Sequence, residues 1–231
     1  MTNSTIAADR PVRPTTLQAV TMVAGPALLL AGFALHPADD GSPEEVLATI
    51  AEHNDGWVAA HLLLFAAAVL LIPAALTLGR LARGRRPRVA AVGAGLVVFA
   101  SVGLASAAAF EQLIGVAATL DGEAAAMARL IEAAESSTVV SMLLYPPQLA
   151  VVLGFLVLAW ALHAARAVPG WAAISMALGA VGVMVPEPGR CVGTALLLAT
   201  FIVALWRSRR SRRSEAVGVQ QASARRPVTV S

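Results

Sequence analysis

Six apolar runs separated by short polar segments dominate the chain: Leu17–Leu35, Val58–Gly79, Val89–Phe110, Val139–His163, Val168–Val185 and Cys191–Trp206. Crossing a bilayer takes ~20 consecutive apolar residues in an α-helix. The pattern therefore predicts an all-α membrane protein, a bundle of six transmembrane helices over residues 17–206. Residues 1–16 read as a polar cytoplasmic lead, and residues 207–231 as a basic tail, disordered beyond its first turn. The first run is too long for a signal-peptide core and no A-x-A site follows it, so a retained anchor is expected. At 1.5 Å per residue the sixth run covers only about 24 Å of a ~30 Å core. The turn Pro186–Arg190 before it is expected to dip below the surface, carrying Glu187 and Arg190 with it.

Breaks in the pattern add detail. Gly25-Pro26 should kink the first span, and Tyr145-Pro146-Pro147 should break or bend the fourth, because proline removes a donor and crowds the preceding turn. Ser42-Pro43-Glu44-Glu45 is a capping box with proline at the first helical position. Val46, Leu47 and Ile50 share one face of the helix it starts, which should end near His53. A second amphipathic helix is expected over residues 122–135, with Met127, Leu130, Ile131 and Ala134 as its apolar stripe. Both should lie on the outer face. Span three is rich in small residues (Gly93, Gly95, Ser101, Gly103, Ala105, Ser106, Ala109) that let helices approach closely, so it should be the central packing helix.

Charge orients the bundle. The 17 basic residues are all arginine, and all but Arg129 and Arg190 fall on the side shared by the two termini; all but Asp9 and Glu215 of the 14 acidic residues fall on or towards the other. The positive-inside rule then places both termini in the cytoplasm of a bacterial inner membrane. Trp160, Trp171 and Trp206 mark the cytoplasmic boundary and Trp57 the outer one, as interfacial anchors do. With 58 % hydrophobic and 13 % charged residues, the partner indicated is the lipid bilayer, with anionic lipid for Arg207, Arg209, Arg210, Arg212 and Arg213. Nucleic acid is not indicated, because the basic residues sit at membrane boundaries. The single cysteine, Cys191, leaves no intrachain disulfide, thiol pair or cysteine-based zinc site. The pattern specifies neither a cofactor nor an oligomeric state.

This topology gathers six polar residues near the outer boundary as a candidate pocket: His36, His61, Glu111, Tyr145, Glu187 and Arg190. A titratable group beneath a membrane surface is costly unless something uses it, although span ends are the cheapest place for one. His36, His61 and Glu111 are the metal candidates, with His53 in reserve; they offer the His-plus-carboxylate donors of a zinc site without a close-spaced motif such as HExxH. His61 and Glu111 are expected to face each other across spans two and three. Haem would need histidine pairs at one depth, and His163 stands alone at the inner boundary. Ser101, Ser106 and Ser141 read as packing residues, which leaves a Ser-His-carboxylate triad without a nucleophile.

Val168-Pro169-Gly170-Trp171 at the start of span five, the glutamate closing span three and the six-span layout resemble a large group of bacterial, especially actinobacterial, integral membrane proteins of unknown function. The resemblance implies a six-helix bundle of about this length and no particular activity. The long segment from His36-Pro37 to Trp57-x-x-x-His61 departs from that pattern, so no site residue is carried over. Three readings follow: a small membrane scaffold or sensor-like protein; a proton-coupled or small-solute carrier, for which the proline breaks in spans one and four occupy matching places in the two halves; and a metal-dependent membrane-embedded hydrolase.

Overall fold

The computed structural model describes residues 14–37, 41–82, 86–120 and 124–224, with the backbone alone for residues 124, 135 and 211–224. Among them are eight α-helices and no strand: α1 Thr16–Leu35, α2 Pro43–Glu52, α3 Asn54–Leu81, α4 Pro87–Ala118, α5 Ala124–Ser136, α6 Thr138–Ala164, α7 Gly170–Gly182 and α8 Gly189–Ala224. Five are long and apolar enough to cross a membrane: α1, α3, α4, α6 and the part of α8 up to Arg210. The chain is thus built as a multi-pass membrane protein. The sixth apolar helix, α7, has 13 residues, about 20 Å of length.

Local signals set several helix ends. Ser42 and Glu45 cap α2 reciprocally, with Pro43 in its first turn. Thr15 and Gln18 form a second capping box at the start of α1, and Ser137 caps α6. Each cap satisfies backbone donors that a helix start otherwise leaves open.

Six helices close into a ring. α1 packs on α3, α3 on α4, α4 on α6, α6 on α7, α7 on α8, and α8 returns to α1. Close approach depends on glycine where backbones meet. A Cβ at Gly103 would come within 2.2 Å of the Pro147 ring, and one at Gly154 within 2.8–2.9 Å of Val97, so α4 and α6 touch only because these side chains are missing. α4 is central in the expected sense, since it also contacts α2 and α5. Not all its small residues serve packing: Gly95, Ser106 and Ala109 face outward.

The structure corrects several expectations. α6 runs unbroken through Pro146 and Pro147, as α1 does through Pro26. Proline costs a helix one hydrogen bond and some crowding, and packed neighbours tolerate that. α8 continues past Trp206 to Ala224 where an irregular tail is predicted; its polar stretch contains good helix formers and meets no proline before Pro227. α5 buries Ala128, while Leu130 is 54 % exposed. The expectations for residues 1–13 and for the start of the second amphipathic helix lie outside the described residues.

Candidate functional site

α3 and α4 are antiparallel neighbours, and the site sits at the end of the pair remote from their connecting turn. His61 lies twenty residues before the end of α3 and Glu111 twenty-four after the start of α4, about 30 and 36 Å along the two helices. Depths that agree to about one helical turn on adjacent helices let the side chains meet. His61 Nε2 lies 2.5 Å from a carboxylate oxygen of Glu111. The expectation that the two face each other is met directly.

The ring nitrogens of His61 have distinct roles. Nδ1 lies 2.8 Å from the carbonyl oxygen of Trp57, one turn earlier in the same helix. A carbonyl can only accept, so Nδ1 carries hydrogen. The Nε2–Glu111 contact then needs one further proton, on the imidazole or on the carboxyl. His61 is 0 % exposed, whereas the Glu111 side chain is 41 % exposed. The histidine is the fixed member and the carboxylate opens to the surroundings.

Two reciprocal bonds hold the helices in register. Trp57 Nε1 donates to the Glu111 carbonyl at 3.0 Å, and Gln112 Nε2 donates to the Val58 carbonyl at 3.1 Å. Gly115, one turn beyond Glu111, makes room for the indole, since a Cβ there would lie 2.6 Å from Trp57 Cδ1. Trp57 is 3 % exposed, so it is a buried strut rather than the interfacial anchor predicted. Trp160, Trp171 and Trp206 do face outward.

His36, the C-cap of α1, completes the group. Its Nδ1 lies 2.7 Å from the Pro37 carbonyl oxygen, which assigns hydrogen to that nitrogen by the same reasoning. Its ring centre stands 4.9 Å from that of His61 and 5.0 Å from that of Trp57. His36, His61 and Glu111 each offer one ligand atom, all within 4.8 Å of one another.

A cavity of about 260 Å³ opens beside this group, inside the helix ring. Its body is apolar, lined by Leu29, Leu64, Leu71, Val97, Phe155 and Leu197 among others, and its polar end carries His36, Glu111, Gln148 and Arg190. Arg190 is half-buried and stacks 5.9 Å from the Phe33 ring. Among the described residues it forms no salt bridge, because the sole acidic group at this end of the cavity, Glu111, is engaged by His61.

Four of the six predicted pocket residues therefore converge: His36, His61, Glu111 and Arg190. Tyr145 and Glu187 do not. Tyr145 is 61 % exposed and points away from the cavity, which its neighbours Leu144, Pro147 and Gln148 line instead. Each residue turns a helix by about 100°, so a side chain next to a lining position can face outward. Glu187 is exposed on the α7–α8 turn. His53 is exposed, with Nδ1 on the Thr49 carbonyl, and His163 lies beside Gly170 at the far end.

Sequence reasoning missed Gln112, Gly115 and Gln148. Gln112 carried a signal, as an amide beside a carboxylate in an apolar run, and Gly115 stands one turn from it.

No family model, curated protein or solved structure matches the chain.

Proposed function

We propose that this is a sensor-like membrane protein of six spans, with both termini cytoplasmic, whose helix ring binds a single-chain anionic amphiphile at its outward end. The observation that carries the reading is Arg190, a half-buried guanidinium without an acidic partner at the mouth of a narrow apolar cavity. An unpaired cation beside apolar walls is costly, and an anionic headgroup offsets that cost while its chain fills the body. The cavity lining runs from Leu64 to Leu71 on α3 and from Glu111 to Val97 on α4, about 10–20 Å along the helices. Spread evenly over that length, a volume of 260 Å³ would make a bore about one hydrocarbon chain wide. Small-molecule sites begin at ~300 Å³, and a slender ligand suits the shape better than a compact one. The arginine asymmetry supports the orientation, and α7 with its flanking turns supplies the sixth crossing.

The test is binding of a medium-chain fatty acid, with the alcohol of equal length as comparator, to the full chain in detergent. The acid is expected to bind, the alcohol at least ~10-fold more weakly. Arg190→Gln should bring the acid down to the alcohol's level, since a hydrogen bond to a charged group is worth ~1.5–3 kcal/mol. Val97→Phe should block both by filling the bore. Equal binding of acid and alcohol, or indifference to Arg190→Gln, would remove the reading.

A further inference from the structure

The geometry points to a divalent transition-metal site made by His36, His61 and Glu111, with Zn²⁺ as the fitting ion and an open coordination position facing the cavity. It goes beyond the amphiphile reading and does not depend on it.

Three observations carry it. The first is the donor set: two imidazoles and one carboxylate, with ligand atoms within 4.8 Å of one another. Imidazole nitrogen selects Zn²⁺ and its neighbours over Mg²⁺ or Ca²⁺, which prefer all-oxygen shells. Three protein ligands with a fourth position left open is the pattern of reactive rather than purely structural zinc.

The second is the tautomer. Both histidines direct Nδ1 at a backbone carbonyl, His61 at Trp57 and His36 at Pro37. Each therefore reserves Nε2 for something else. Metal-bound histidines nearly always tie down their other ring nitrogen in this way, which fixes the ring and strengthens it as a donor. Exposed His53 makes the same kind of bond to the Thr49 carbonyl, so the arrangement alone does not mark a ligand; what distinguishes His36 and His61 is that two such histidines meet at one point beside a carboxylate.

The third is spacing. Two imidazoles bound to one tetrahedral ion at ~2.0–2.1 Å place their ring centres about 5 Å apart, and the centres here are 4.9 Å apart. Between His61 Nε2 and the Glu111 carboxylate the ion takes the place of the one proton that the contact needs. Ligand atoms around such an ion stand about 3.3 Å from each other. The 2.5 Å contact must widen by less than 1 Å and the longest separation, up to 4.8 Å, must close by about 1.5 Å, movements that the partly exposed Glu111 and half-buried His36 can make while buried His61 stays still.

The experiment uses the full chain in detergent, stripped with chelator, titrated with Zn²⁺ and passed through gel filtration before elemental analysis. One retained ion per chain is expected. His36→Ala and Glu111→Ala should each weaken binding by ~100-fold or more, beyond what loss of a supporting residue costs. His61→Ala should do the same. Because His61 is buried, helicity and elution volume are checked for that variant, and the half-buried His36 keeps the test decisive if His61→Ala misfolds. His53→Ala, an exposed histidine outside the group, should leave binding unchanged. Failure to retain Zn²⁺, retention that ignores His36→Ala, or equal loss in His53→Ala would overturn the site. None of these readouts involves an amphiphile, so failure here is distinguishable from failure of the cavity reading.

Discussion

His61 is cut off from both lipid and water, and its two nitrogens rely wholly on the Trp57 carbonyl and the Glu111 carboxylate. Removing one partner of a buried polar pair costs more than the pair itself contributes, because the other is left unsatisfied. Glu111→Ala should therefore lower stability by ~1–3 kcal/mol, while Glu111→Gln, whose amide can donate to Nε2, should recover most of that. Thermal unfolding of the three proteins in one detergent checks the order, wild type above Gln above Ala. The meeting of His61 and Glu111 was legible in the sequence because depth can be counted along a helix at a fixed rise. Rotation about the helix axis was not. Trp57 sits at the predicted depth but faces Gly115 instead of lipid, and Tyr145 sits at the right depth on the wrong face. Which face a helix buries depends on neighbours that an all-round apolar run does not name.

At the scale of elements, caps were readable because they are local. Ser42-Pro43-Glu44-Glu45 announced α2, and Thr15-x-x-Gln18 would have announced α1 as plainly. Proline was over-read. Pro146 and Pro147 leave α6 continuous, and what Pro147 does is present its ring to Gly103. That contact gives a prediction in which two effects compete. Gly103→Ala gains ~1 kcal/mol of helix propensity but overpacks an interface where the facing ring cannot rotate away, at ~1–3 kcal/mol. With the new Cβ only 2.2 Å from Pro147, the clash should win, and the variant should unfold earlier than wild type in the same detergent. A gain in stability would mean that α4 and α6 are free to move apart. Gly95→Ala, on the same helix with nothing within 4 Å, is the control that should gain.

At the scale of the molecule, the number of apolar runs and the two charged ends could be read along the chain. The closure of the helices into a ring could not, because that is a fact about which apolar faces meet. Arg86 over Trp160 and Arg210 over Trp206 mark the end opposite His61 and Glu111. Reporter fusions after Arg88 and Arg213 should read cytoplasmic and fusions near Asp40 and Gly122 external. An external C-terminus would reverse the proposed orientation and turn the cavity mouth inward.

The ring closes where α8 meets α1, so the last of the described helices is a neighbour of the first. His36, His61 and Glu111 all lie within the first half of the chain and can assemble while the rest is still being synthesised, since folding during synthesis begins at the N-terminus. The wall that carries Arg190 arrives last. A nascent chain halted after Ala164 would hold the histidine–glutamate group on three helices with one flank open to lipid, and α8 would then act as the stave that seals the vessel. The order of synthesis thus separates in time two parts of the site that the finished protein holds side by side.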